Sequence, residues 1–518
     1  MGRLTVAVFL VLFAVVVTAK RHPALPTFLL GRPSGGFMRD GYRHFSGDYE
    51  PEKTLDDYPG LQRLNFTQKL DHTKDDGLTF QQRYWYNPNF TQKKNIIFLL
   101  LQGESIATDT WAGNPGYTYL RLAEIYGADA FQLEHRCFGY SRPYPDLTTE
   151  HLKICTMSQA IEDIADFIKG MNDQYGFVKP KWVTFGGSYP GTLNALFRAK
   201  YPDLTVGAIA SSAPLYLKLD FYEYAQVVEN GLRTTDPSCA QAVDSAFKKM
   251  QQLSLSNEGR RQLNGYFNLQ PPFQDDKTTQ LDIDNFFANL YSVFQGVTQY
   301  TYDGRNNMTI NGLGLKELCK QMTKEQFDVI TRVNNTVNWV NSYYGGAMPF
   351  PNSYSDMMSA LSNTTFDDED PFQDNAANRG WMWLSCNELG FLQTTDQGRN
   401  VFQQTVPLNY FIDMCTGMFG DEVNIKYIRD HNLAAQNRWK GADGYQATNI
   451  VLPNGSYDPW HALGRIDRPV DDAHLVPILI NGTAHCADMY PIYAGEPTGL
   501  RNARLVIEKE LKYYLGVI

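Results

Sequence analysis

Trp182-Val183-Thr184-Phe185-Gly186-Gly187-Ser188-Tyr189-Pro190-Gly191-Thr192-Leu193-Asn194-Ala195-Leu196-Phe197-Arg198 is the stretch whose reading decides the fold. Its first four residues are apolar or β-branched and suit a buried strand. Its last seven suit a helix. Glycines and a single serine stand between them. A strand, a sharp Gly-rich turn and a helix form a nucleophile elbow, which lifts one hydroxyl above the sheet edge. The turn also aims the helix N-terminus and the Tyr189 backbone N–H at an oxyanion. Pro190 stands where a strict Gly-x-Ser-x-Gly pattern has its last glycine. Proline is acceptable at a first helical position, where its missing N–H has no intrahelical partner. Taken alone, the stretch reads equally well as an ordinary strand–helix turn capped by a serine.

Outward from the elbow, apolar runs alternate with helical patterns. Tyr84-Trp85-Tyr86, Ile96-Ile97-Phe98-Leu99-Leu100-Leu101 and Ala128-Asp129-Ala130-Phe131-Gln132-Leu133-Glu134 read as strands before it. Val206-Gly207-Ala208-Ile209-Ala210 reads as a strand after it. Ile161, Ile164, Ala165 and Ile168 recur at helical spacing. Such alternation builds a parallel sheet covered on both faces. It stops near Pro214. Residues 215–420 are helical in pattern, rich in Gln, Asn and aromatics, and have no buried-strand runs. Alternation resumes at Thr448-Asn449-Ile450-Val451-Leu452 and Val476-Pro477-Ile478-Leu479-Ile480, before a terminal helix near Gly499. The expected organisation is one α/β domain in two parts, residues 61–214 and 421–518, interrupted by a helical cap over 215–420.

The 518 residues suffice for a large core and more than one domain. A net charge of −10 without any long Lys/Arg run argues against a nucleic-acid partner. Arg3, an apolar run over residues 4–17 and the small residues Val17-Thr18-Ala19 make residues 1–19 a secretory signal. No later run is long enough to span a membrane. Residues 20–60, rich in Gly, Pro, Arg and Asp without apolar period, read as a flexible arm or pro-segment. Glycosylation sequons at Asn65, Asn89, Asn307, Asn334, Asn363, Asn454 and Asn481 fit export, although Asn454 and Asn481 crowd the motifs described next. Seven cysteines allow three disulfides in an oxidising compartment. Pairing of neighbours would give Cys137–Cys155, Cys239–Cys319 and Cys386–Cys415, with Cys486 left over. The expected destination is secreted or lysosomal.

A serine hydroxyl needs a base to take its proton and an acid group to orient that base. In a hydrolase with this elbow they follow in the order Asp, His, on loops after later strands. Asp458 follows one late strand and His485 follows the next. Ser188 is then the nucleophile, His485 the general base and later acid, and Asp458 the carboxylate that holds the imidazole. Each has a plainer reading alone: Asp458 as a turn cap before Pro459, His485 as a packed loop histidine. His461 adjoins Asp458 too closely, His474 precedes its strand, and Asp488 competes for the acid role. Tyr189 supplies one oxyanion donor. A second is expected from the loop Gln102-Gly103-Glu104-Ser105-Ile106, where Gly103 permits close approach and Glu104 or Ser105 offers an N–H. No Cys/His cluster has zinc spacing, and the chemistry calls for no cofactor.

Gly186-Gly187-Ser188-Tyr189-Pro190-Gly191, Asn454-Gly455-Ser456-Tyr457-Asp458-Pro459-Trp460 and Gly482-Thr483-Ala484-His485-Cys486-Ala487-Asp488-Met489 together resemble the S28 serine peptidases. So do Glu134-His135-Arg136-Cys137-Phe138-Gly139-Tyr140-Ser141-Arg142-Pro143 and Asn65-Phe66-Thr67-Gln68-Lys69-Leu70-Asp71-His72. The resemblance spans residues 60–518 in matching order. It implies an α/β-hydrolase fold with an inserted helical cap domain. It also implies exopeptidase activity on short peptides, often next to proline, with carboxypeptidase and dipeptidyl peptidase both open. Glu388 lies where the family's cap approaches the site, and reads either as a ligand for a substrate amino terminus or as a structural carboxylate. The Arg136 region reads likewise as structural, packing beneath the site. The same groups would serve an esterase or lipase. A non-catalytic ectodomain on this fold is a third reading, against which all three triad residues stand. A homodimer is left open.

Overall fold

The computed structural model describes residues 24–33, 53–93, 95–301, 313–343, 350–369, 374–467 and 473–517. The expected signal over 1–19 and the sequon at Asn307 lie outside them. In chain order the strands are β1 (Phe28–Leu29), β2 (Arg32–Pro33), β3 (Gln62–Lys69), β4 (Thr79–Asn87), β5 (Ile96–Leu101) and β6 (Asp129–Leu133). They continue with β7 (Lys181–Gly187), β8 (Gly207–Ser211), β9 (Leu269–Gln270), β10 (Phe350–Pro351), β11 (Ile450–Gly455) and β12 (Leu475–Ile480). Eight of them form one sheet in the order β12-β11-β8-β7-β5-β6-β4-β3. From β12 to β6 all neighbours are parallel. β4 is antiparallel to both β6 and β3, so a hairpin closes one edge of a sheet that sequence reading makes wholly parallel. The hairpin escapes notice because β3 is a polar edge strand, on which Gln68 alone is buried. This strand order, with the elbow after β7, is the α/β-hydrolase fold.

The period of two in β5 sorts its side chains between the two layers. Ile97, Leu99 and Leu101 join a core with Ile161, Ile164 and Leu193, from the helices Met157–Tyr175 and Tyr189–Lys200. Ile96, Phe98 and Leu100 face Leu120 and Leu122 of Thr118–Tyr126, and Ile507 and Leu511 of Thr498–Leu515. The helix Met157–Tyr175 starts where the Thr156 side chain accepts from Gln159 N–H and stops at Gly176, whose φ is +63°. Between β8 and β11 the described chain is mainly helical, with a parallel pair of two-residue strands, β9 and β10. Cys239–Cys319 and Cys386–Cys415 staple that region, and Cys137–Cys155 ties the loop after β6. These are the neighbour pairs expected, and Cys486 stands outside them.

The flexible arm expected over residues 20–60 is corrected at 24–33. Leu25, Phe28, Leu29, Leu30 and Arg32 are buried, and β1 pairs with β2. A tight hairpin of two-residue strands that meets protein on several sides is too short for an apolar period, so its burial leaves no periodic signal. Asn454 is also corrected as a sugar acceptor. It is buried at the end of β11, where its side-chain amide donates to Leu452 O at 3.2 Å. Asn65, Asn89, Asn363 and Asn481 are exposed, and Asn334 is half-buried.

Candidate active site

β7 delivers Ser188 at its end, with φ +65° and ψ −135°. A serine held at positive φ is strained, and the surrounding contacts must hold it there. A β-carbon at Gly186 would lie 2.4 Å from Pro190 O, and one at Gly191 would lie 2.7 Å from Ser211 O. The turn therefore closes only with glycine at both positions. Pro190 is the second residue of the helix Tyr189–Lys200, where its missing N–H still costs nothing.

Asp458 follows β11 and His485 follows β12. His485 Nδ1 lies 2.8 Å from Asp458 Oδ2, and neither side chain is exposed. A carboxylate only accepts, so the proton sits on Nδ1 and Nε2 carries the basic lone pair. Asp458 Oδ1 accepts from Trp460 N–H at 3.1 Å, which fixes the carboxylate plane. The His485 N–H donates to Gln299 O at 2.9 Å, and the Tyr300 ring packs edge-on against the imidazole.

Sequence reading overlooked the step Ser211-Ser212 at the end of β8, which gathers all three loops. Ser188 N–H donates to Ser211 O, Ser212 N–H donates to Pro453 O, and Cys486 N–H donates to Ser212 Oγ. A β-carbon at Gly187 would stand 2.8 Å from Cys486 Sγ, so the neighbours of Ser188 and His485 touch. Two adjacent serines in a strand-end loop carry no motif, and only the assembled sheet reveals them.

The competing residues are engaged elsewhere. Asp488 Oδ2 accepts from Ser211 Oγ at 2.5 Å, and burial pushes its carboxyl up. His461 Nδ1 donates to Asp458 O, and His474 pairs with Glu510 at the other end of β12. Glu388 Oε2 accepts from Met157 N–H at 2.8 Å, at the start of the helix Met157–Tyr175. Burial raises its carboxyl to about 7. It lines an open cavity of about 750 Å³ with Asp71, Gln159 and His431, whose wall includes none of Ser188, Asp458 or His485.

The loop after β5 abuts the elbow directly. A β-carbon at Gly103 would meet Pro190 Cγ at 2.4 Å and Tyr189 Cδ1 at 3.1 Å. Ser105 N–H is turned back onto Gly103 O. Glu104 is buried, and burial raises its carboxyl against the pull of Arg32 and His485. The loop is held from β6: Glu134 Oε1 accepts from Ala107 N–H, while Oε2 accepts from Tyr140 N–H and Ser141 Oγ. His135 Nδ1 donates to Arg136 O, which leaves Nε2 to accept from the Tyr189 hydroxyl at 3.1 Å. Burial lowers His135 to about 4, so it is neutral and serves as an anchor for the elbow helix. Arg136 forms a buried fork with Asp163, which also binds His72. It also donates to Leu70 O, Lys69 O and Ile154 O, bracing the end of β3 against the loop before the helix Met157–Tyr175.

The sequence profile of serine carboxypeptidase S28 matches residues 68–507. A Caenorhabditis elegans protein, F56F10.1, whose name carries only a provisional serine-protease description, is 50% identical over 515 residues, 98% of this chain and 93% of its own. The mouse thymus-specific serine protease is 27% identical over 460 residues, 85% of this chain and 84% of its own. The mouse lysosomal Pro-X carboxypeptidase is 27% identical over 466 residues, 87% and 89% respectively.

Proposed function

Because this chain belongs to the serine carboxypeptidase S28 family and is a serine-type peptidase, we propose that Ser188, His485 and Asp458 are its catalytic triad. One observation carries the reading. The buried 2.8 Å pair of His485 and Asp458 stands at the same sheet end as a serine held at φ +65°. Ser188 Oγ attacks the peptide carbonyl carbon as His485 Nε2 takes its proton, giving a tetrahedral oxyanion. Tyr189 N–H and a donor from Gly103 or Glu104 stabilise that oxygen. Collapse expels the amine, protonated by His485, and leaves an acyl-serine. Water, deprotonated by the same imidazole, then releases the acid.

Short peptides are the proposed substrates, attacked from one end beneath the helical cap. The carboxypeptidase relative named for Pro-X substrates favours proline beside the scissile bond. Three disulfides fit the secretory pathway, and a secreted or lysosomal destination is proposed. Among the described residues no helix is long and apolar enough to cross a membrane.

Alkoxy-phosphonate labelling of the purified chain tests the reading. The label is expected on Ser188, and Ser188→Ala should lower kcat on a short peptide by about 10⁴-fold or more. Undiminished peptidase activity in that variant would sink the assignment.

A further inference from the structure

Residues 24–33 do not lie beside the site; they press into its walls. Phe28 stacks on Tyr300, the same ring that packs edge-on against His485. Gly31 O accepts from Gln299 Nε2 at 2.9 Å and from the Tyr300 hydroxyl at 3.2 Å. Gln299 O is the acceptor for the His485 N–H. Gly31 has φ +74°, and a β-carbon there would lie 2.7 Å from Gln299 Oε1 and 3.0 Å from Trp460. Only glycine fits this conformation and this gap.

Arg32 then crosses to the other wall. Its Nε donates to Glu104 O at 2.8 Å, on the loop beside the elbow. Its Nη1 donates to Asp374 Oδ1 at 2.8 Å and to Asn378 Oδ1 at 2.6 Å, on the helix Asp374–Leu384. Leu29 and Leu30 line, with Tyr291, Gln295, Met357 and Tyr410, a gap of only about 30 Å³ between the segment and the helical region. That is room for about one water and not for a peptide. One short stretch thus touches the support of the base, the aromatic wall after the acid and the loop beside the nucleophile.

We infer that residues 24–33 are an internal plug, seated in the peptide-binding cleft of the intact chain, and that substrate enters only after the plug is cut away or withdrawn. The inference rests on the peptidase reading above. The segment is a tight β-hairpin that turns at Leu30-Gly31, with its apolar side chains buried and one cation held by an acidic side chain, an amide and a main-chain oxygen. The socket of Asp374, Asn378 and Glu104 O is the anchor, since it supplies the charge-assisted bonds.

Arg32→Ala and Gly31→Ala, made in full chain verified by mass to retain residues 24–33, test the inference. Arg32→Ala removes the anchor, and Gly31→Ala wedges the segment outward. Phosphonate labelling rate and kcat/KM on a short peptide are expected to rise about tenfold in each, the worth of one charge-assisted hydrogen bond. An acetylated peptide of residues 24–33, added in trans, should lower both rates again in competition with substrate. A segment that merely braces the fold gives the opposite sign, with activity and melting temperature falling together. Equal or lower rates in both variants, with the parent chain active, overturn the plug. A parent and variants that stay inert to phosphonate even after proteolytic removal of residues 24–33 overturn the peptidase reading, and the plug with it.

Discussion

Asp458→Asn is the sharpest perturbation of the proposed triad. Asparagine has nearly the same shape, and its Oδ1 can keep the bond from Trp460 N–H that Asp458 makes at 3.1 Å. Its amide nitrogen then faces His485 Nδ1 across the 2.8 Å now spanned by Oδ2. An amide N–H facing Nδ1 forces the imidazole proton onto Nε2. The atom that should accept the Ser188 proton then carries one of its own. Restoring the productive tautomer sets two N–H groups face to face where neither side chain is exposed to water. A loss of about 10⁴-fold in kcat/KM is expected, or about 5.5 kcal/mol of transition-state stabilisation. The assay is kcat/KM on a short peptide alongside the melting temperature. Loss of rate in a variant that melts within a few degrees of the parent meets the expectation. A well-folded variant within about tenfold of the parent would refute the role given to Asp458.

Gly103→Ala should shift the loop beside the elbow, because its β-carbon would enter Pro190 at 2.4 Å. A drop of about 10²-fold in kcat with little change in KM is expected if this loop positions an oxyanion donor, and a pure KM effect would speak against it. Glu388→Gln should alter the pH dependence of stability. Burial raises the folded carboxyl from 4.5 to about 7, so the folded state holds a proton that the unfolded state has released. The parent should therefore be favoured below pH 4.5 and lose up to about 3 kcal/mol as pH rises through 7. The variant lacks that decline, and parallel melting curves between pH 4.5 and 7.5 would contradict the assignment.

Much of the fold is legible because burial on both faces writes long apolar runs. Ile96–Leu101 could hardly be anything but a central strand, and the elbow follows a second such run. Asp458 and His485 stand out because each closes a late strand at the sheet end that carries the serine. The remainder is hidden where function or geometry replaces periodicity. β3 is polar because it is an edge, and the two-residue strands of residues 24–33 are too short to show a period although their side chains are buried. Glu388 sits in a stretch that suggests a ligand, yet its partner is the main chain of Met157, far away in sequence. Asn454 satisfies a sequon that already crowds the Asp458 motif, and its burial at a strand end gives the physical reason that no sugar reaches it.

The step at Ser211-Ser212 ties loops that the ribosome makes early to loops that it makes last. The elbow and the whole helical region are translated before His485 is encoded. On the proposed triad, the hydroxyl waits through most of synthesis without its base, which arrives only after β12. A message that ends before β12 yields a chain with an elbow and no imidazole beside it.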